Sequence, residues 1–177
     1  MKKVILIVSA LVLIIILSVF IYGINHTKAI PEPLLSVKVA DQDIKPIYYG
    51  NLHNKTREDL SRFLYHAFEE GWESIPYVAL EDRVTIEFEN FESDSVVVTE
   101  ALLTQEGTFL YNEKSDLTHE VTVENGKVTF ELESNPATFL SSNSESYLPG
   151  HVIRAFFIKT EIYDSNFVFA FVIRTNP

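Results

Sequence analysis

The chain has 177 residues, with 14 Lys+Arg against 25 Asp+Glu and no cysteine. Without cysteine it can be neither a disulfide scaffold nor a lipoprotein held by a modified cysteine, so its folded part must stand on an apolar core. All 25 acidic residues lie beyond residue 30, whereas Lys2, Lys3 and Lys28 precede it, which leaves a balance of −14 on the remainder; such a field repels nucleic acid and anionic headgroups and attracts basic partners and divalent cations.

Val4 to Ile24 is a run of 21 residues without a charged side chain, led by Lys2 and Lys3. As a helix it would reach about 31 Å, close to the hydrocarbon thickness of a bilayer. The lysines favour a cytoplasmic N-terminus, so the expectation is a single-pass membrane anchor with everything from about Asn25 onward outside. The alternative is a cleaved secretory signal and a secreted protein, with Ile21-Tyr22-Gly23 as a poor cleavage site. The domain plan is therefore an anchor at 1–24, a stalk at 25–34 stiffened by Pro31 and Pro33, and one extracytoplasmic domain at 35–177.

Within that domain, Leu35 to Val39 alternates as a half-buried strand and Ala40-Asp41-Gln42-Asp43 offers a turn. Ile44 to Tyr48, interrupted by Pro46, reads as an edge strand. Thr56 to Glu70 is the one convincing soluble helix. It opens on a capping box at Thr56-Arg57-Glu58-Asp59, carries Leu60, Phe63, Leu64, Ala67 and Phe68 on one stripe, and stops at Gly71. Strands follow at Arg83 to Glu89, Val96 to Leu103 and Thr108 to Tyr111, and Asn125-Gly126 predicts a type I′ hairpin within Val121 to Phe130.

The last hairpin is predicted to join His151–Tyr163 to Phe167–Thr175 through Asp164-Ser165-Asn166. Its strands are apolar on both faces, which requires cover on both. One face needs an opposing sheet, and the helix is the available cover for the other. The predicted fold is mostly β: an immunoglobulin-like antiparallel β-sandwich with one inserted α-helix packed on a sheet, preceded by the transmembrane helix.

Chemistry is sparsely marked. His26, His53, His66, His119 and His151 lack metal-ligand spacing, no serine lies in a nucleophile elbow, and no cofactor motif is present. Asp41 and Asp43 could offer oxygens to calcium but lack the rest of an EF-hand loop; a turn suits them better. The pairs Glu87/Glu89 and Glu131/Glu133 could suggest carboxylate hydrolysis of a wall polymer, yet their spacing puts each on a polar strand face. Arg154 and Arg174 stand out in apolar strands; the predicted turn would bring them together, where two guanidinium groups could grip a carboxylate or phosphate. Tyr48, Tyr49, Tyr65, Trp72, Tyr77 and Tyr147 could contribute aromatic tips to a binding surface.

In its lysine-led anchor, its lack of cysteine and the segments Ser36 to Ile44 and Ile153 to Phe157, the chain resembles the small anchored extracytoplasmic proteins of Gram-positive bacteria. The expectation is a non-enzymatic binding module of the cell envelope with a protein partner. The alternatives are an envelope hydrolase using carboxylates and a cation-dependent structural or adhesive domain, in which calcium would be the ligand.

Overall fold

Alternation of apolar and polar residues builds two five-stranded sheets, both antiparallel throughout. The computed structural model describes residues 34–51, 56–89, 95–162 and 165–177. The expected anchor, Val4 to Ile24, and residues 25–33 of the stalk lie outside the described residues, among which no helix is long and apolar enough to cross a membrane. Pro33–Pro177 is one compact unit.

The strands are β1 (Leu35–Val39), β2 (Gln42–Ile44), β3 (Ile47–Asn51), β4 (Arg83–Phe88), β5 (Val96–Leu103), β6 (Leu117–His119), β7 (Thr122–Glu124), β8 (Lys127–Glu131), β9 (Val152–Ile162) and β10 (Ser165–Thr175). One sheet runs β2-β1-β4-β8-β7 and the other β3-β10-β9-β5-β6. Ala40-Asp41 turns β1 into β2, and Pro46 falls where the chain leaves the first sheet for the second. Both β2 and β3 are edge strands, where a missing N–H is harmless. Asn125 (φ 53°) and Gly126 (φ 74°) form the predicted tight turn between β7 and β8. Thr108 to Tyr111 makes only an isolated bridge, Phe109 with Leu103, before the chain turns away.

The two sheets pack face to face. Val37, Val39, Val84, Ile86, Val128 and Phe130 of the first meet Phe156, Ile158, Phe167, Phe169, Phe171 and Ile173 of the second. Phe156 stacks on Phe171 with ring centroids 4.8 Å apart, and Phe130 reaches Phe156 across the interface at 5.8 Å.

The second sheet is covered on its outer face as well. Helix α1 (Arg57–Leu64) and the 3-10 turn Tyr65–Phe68 set Leu60, Phe63, Leu64, Ala67 and Phe68 against Ile153, Ala155, Phe157, Val168, Ala170 and Val172. The predicted packing of helix on final hairpin is thus observed, although the α-helix is shorter than predicted because its last turn tightens. Arg57 adds a bidentate bond to Asp116 (2.7 and 2.9 Å) while lying over the Phe109 ring, which ties the helix start to the segment between β5 and β6.

The capping box is complete: Thr56 Oγ1 accepts from the Asp59 N–H, and Asp59 accepts from the Thr56 N–H at 2.9 Å. Thr56→Ala is expected to cost about 1 kcal/mol, measured as a lower denaturation midpoint with an unchanged m-value.

Candidate functional site

Among the polar residues carried into the interior, three gather around one carboxylate. Glu100 sits in β5 on the face turned to the opposing sheet, beside Arg154 of β9, and both are fully buried. Arg154 donates from Nε to Glu100 Oε1 (2.8 Å) and from Nη2 to Oε2 (2.6 Å). Asn135 Nδ2 donates to Oε1 at 2.6 Å, and His119 Nε2 lies 2.8 Å from Oε2. An ionised carboxylate only accepts, so His119 presents Nε2 with its hydrogen here. Its ring is held between Phe130 and Phe156, at 4.7 and 5.4 Å.

Burial alone pushes the Glu100 carboxyl up; the hydrogen bonds from His119, Arg154 and Asn135, with the Arg154 charge, outweigh it and hold the group below its ordinary value of 4.5. Each carboxylate oxygen already accepts two donors. Arg154 also donates to the Glu133 carbonyl at 2.8 Å. The cluster is saturated by its own members and walled off, so it offers a substrate neither a lone pair nor a path: it is a structural lock between β5, β6, β9 and the segment after β8.

The pairing of β9 with β10 separates the two arginines that sequence placed together. Ile162 pairs with Ser165 and Glu161 with Asn166, so two residues predicted in the turn belong to β10, the third, Asp164, lying outside the described residues; Arg154 stands opposite Ile173 while Arg174 stands opposite Ile153. Directly opposed residues share a face, so Arg154 points into the core and Arg174 to the helix side. A joint grip on one anion is therefore excluded by the register. Arg174 instead spends its donors on backbone carbonyls: Nε to Ile75 (2.8 Å), Nη2 to Glu73 (2.9 Å) and a longer contact from Nη1 to Gly150 (3.4 Å), with its guanidinium 5.3 Å from the Trp72 ring.

One open pocket with polar lining lies at an end of the sandwich. The connection from β8 to β9, residues 132–151, passes there from one sheet to the other and includes 3-10 turns at Pro136–Leu140 and Ser144–Tyr147. Each turn begins under an asparagine cap, Asn135 to the Ala137 N–H and Asn143 to the Glu145 N–H. Between these turns and the Thr104–Thr108 loop lies a pocket of about 280 Å³ with Leu102 and Val152 in its wall and Glu106, Glu145 and His151 among its polar residues. His151 Nδ1 is buried with no hydrogen-bond partner among the described residues.

Large apolar side chains stand in solvent around it. Phe139 is 60% and Leu140 66% exposed, and Leu110, Tyr147 and Leu148 are also exposed. They are neighbours by chain and by bond, since the Tyr147 hydroxyl donates to the Ser141 carbonyl and lies 3.3 Å from the Phe139 carbonyl, and Leu110 shares the pocket wall with Ser141. Phe139 and Leu140 could have packed inward but Ala137 and Thr138 take the buried positions of that turn.

The other sequence candidates remain apart from this pocket. Glu87 bonds Lys127 at 2.6 Å, and Glu89, Glu131 and Glu133 are exposed. Asp41 and Asp43 are exposed beside the first turn, and no group of three acids or histidines is placed to hold a metal among the described residues. Of the aromatic tips, Tyr147 belongs to the open end, whereas Tyr48 lies against Phe167 and Phe169 on the β3 edge. Compared with known proteins, the chain matches no family model, no curated protein and no solved structure.

Proposed function

We propose that this chain is a non-enzymatic, single-pass membrane protein whose immunoglobulin-like domain binds a protein partner in the cell envelope through the loop end of its sandwich. The exposed apolar patch around Phe139 and Leu140 carries this reading. Scattered exposed apolar residues need no explanation, but a contiguous group beside a pocket marks an interaction site.

Its position supports the same conclusion. The chain enters the domain at Leu34, whose carbonyl accepts from the Glu89 N–H, and β1 starts opposite Phe88 at the end of β4. At the other end of β4, Arg83 pairs with Glu131, and residues 76–83 lead there directly from the end of β10, where the Arg174 N–H bonds the Pro76 carbonyl. The patch follows β8 at that same end. It therefore lies at the opposite end of the sheets from Leu34, where the described chain enters the domain.

The absence of cysteine gives a direct test of orientation, because a single Ser142→Cys substitution supplies the chain's sole thiol. The expected result is a full-length, membrane-fractionating protein labelled in intact cells by an impermeant maleimide. Labelling only after lysis overturns the outward orientation, and release into the medium overturns the anchor. Partner binding is tested by in-cell cross-linking of the tagged full chain. A discrete adduct is expected that is lost in Phe139→Ser/Leu140→Ser; adducts unchanged in that variant overturn the assignment of the surface.

A further inference from the structure

Resting on the binding-module reading, we infer that the loop end docks a protein segment presenting a lysine or arginine flanked by apolar side chains, with the cation at the Glu106–Glu145 rim and the apolar groups on Phe139, Leu140 and Leu148. The patch supplies apolar area that remains in solvent, and the pocket beside it is lined in part by two exposed carboxylates, Glu106 and Glu145. The Thr104 hydroxyl and a backbone N–H keep the Glu106 carboxyl below the usual range, so it is ionised wherever the domain is folded near neutrality.

Charge decides among possible occupants. The sequence beyond residue 30 carries 25 Asp+Glu against 11 Lys+Arg. A second copy of the same acidic domain would bring like charge to the rim, and an anionic bilayer surface would be repelled by the whole field. A neutral apolar segment would leave the rim carboxylates partly desolvated and unpaired, which costs affinity. A segment that is both basic and apolar satisfies the rim and covers the patch together.

The test is selection of a random peptide library on the full chain in phosphatidylcholine nanodiscs, with empty nanodiscs as counterselection. Binding of the selected peptides is then measured by fluorescence anisotropy. Peptides combining Lys or Arg with apolar residues are expected. Their affinity should fall by about tenfold or more in Phe139→Ser/Leu140→Ser and in Glu106→Gln/Glu145→Gln, and change less than threefold in Glu120→Gln/Glu124→Gln, which removes the same charge elsewhere. All of these side chains are exposed, so their replacement leaves the core intact; equal melting temperatures confirm this. The charge-reversed Glu106→Lys/Glu145→Lys variant should select acidic peptides instead.

Selected peptides that bind all variants equally, peptides without basic residues, or no enrichment over empty nanodiscs each overturn the inference. If cross-linking in cells still yields a patch-dependent adduct, only the chemistry of the docked segment is lost. If that adduct is also missing, the binding-module reading falls with it.

Discussion

Arg154→Leu is expected to cost the domain about 3–5 kcal/mol, a fall in melting temperature of roughly 9–15 °C, because it leaves Glu100 charged and buried without its guanidinium. Glu100→Gln should be of similar severity, since the amide keeps the shape of the carboxylate but leaves the Arg154 charge uncompensated. The paired change Glu100→Leu/Arg154→Leu should recover much of the loss, as two charges are then removed together. It should not recover all of it. Asn135 Nδ2 and His119 Nε2 both donate to Glu100, and each orphaned donor carries a desolvation cost of about 1–3 kcal/mol. Full recovery in the double variant would show that these two donors contribute nothing; no recovery would show that Arg154 acts through its bond to the Glu133 carbonyl and its packing.

The same cluster sets the acid side of the stability profile. Because the folded carboxyl is held below its ordinary value of 4.5, the unfolded chain binds more protons than the folded one as pH falls through that value. The contribution of Glu100 is therefore fully present above 4.5 and is lost as pH falls through the depressed folded value. The gap in melting temperature between wild type and Glu100→Gln should be constant near neutrality and shrink in acid. A gap that widens in acid would contradict a depressed carboxyl.

Most of the secondary structure was legible because it rests on local patterns: the period-two strand Leu35–Val39, the apolar run Val96–Leu103, the Asn125-Gly126 turn and the stripe on α1. The covering of both faces of the last hairpin was legible too, since a strand apolar on both sides has no stable exposed arrangement. Its register was not. Parity depends on the length of a short loop, and the prediction placed that loop at three residues. Yet β9 carries Phe156 and Ile158 on one alternation, and β10 carries Phe167, Phe169, Phe171 and Ile173 on one alternation. Matching large faces to large faces gives the observed pairing of Phe171 with Phe156 and separates Arg154 from Arg174.

The Glu100 cluster was missed for a different reason. Its members come from four separate stretches of chain, and the available signal was a lone acid on the inward alternation of β5 beside a lone arginine on the inward alternation of β9. A charge that has no solvent in its predicted position implies a partner, and the partner's identity requires the topology. Thr118 and its neighbours in β6 were likewise unread, since a three-residue strand carries no periodicity. The open end was in part visible as Tyr147, but Phe139 and Leu140 gave no sign of exposure because apolar residues in a loop between two strands are ordinarily buried.

Gly107→Ala is the second substitution expected to have a large effect, and it links the helix to the pocket. Gly107 is buried in the turn between Thr104 and Thr108 at φ +79°, a conformation that costs an L-residue about 1–2 kcal/mol. A Cβ there would stand 2.9 Å from Cδ2 of Phe68, whose ring is itself held against the outer face of the sheet. Displacing a packed ring adds about 1–3 kcal/mol, so the total should be about 2–5 kcal/mol, or roughly 6–15 °C. The two contributions separate cleanly. Gly107→Asn tolerates the backbone better but keeps the clash, whereas Gly107→Ala/Phe68→Ala removes the clash but keeps the backbone strain. The double variant should thus be less damaging than the sum of its parts, Phe68→Ala alone costing about 3–5 kcal/mol. Additive costs would mean that the ring is free to move away. Because Glu106 precedes this glycine on the pocket rim, a turn displaced by the new methyl group also moves a carboxylate assigned to the docked cation, and peptide affinity should fall in Gly107→Ala at temperatures where the domain remains folded.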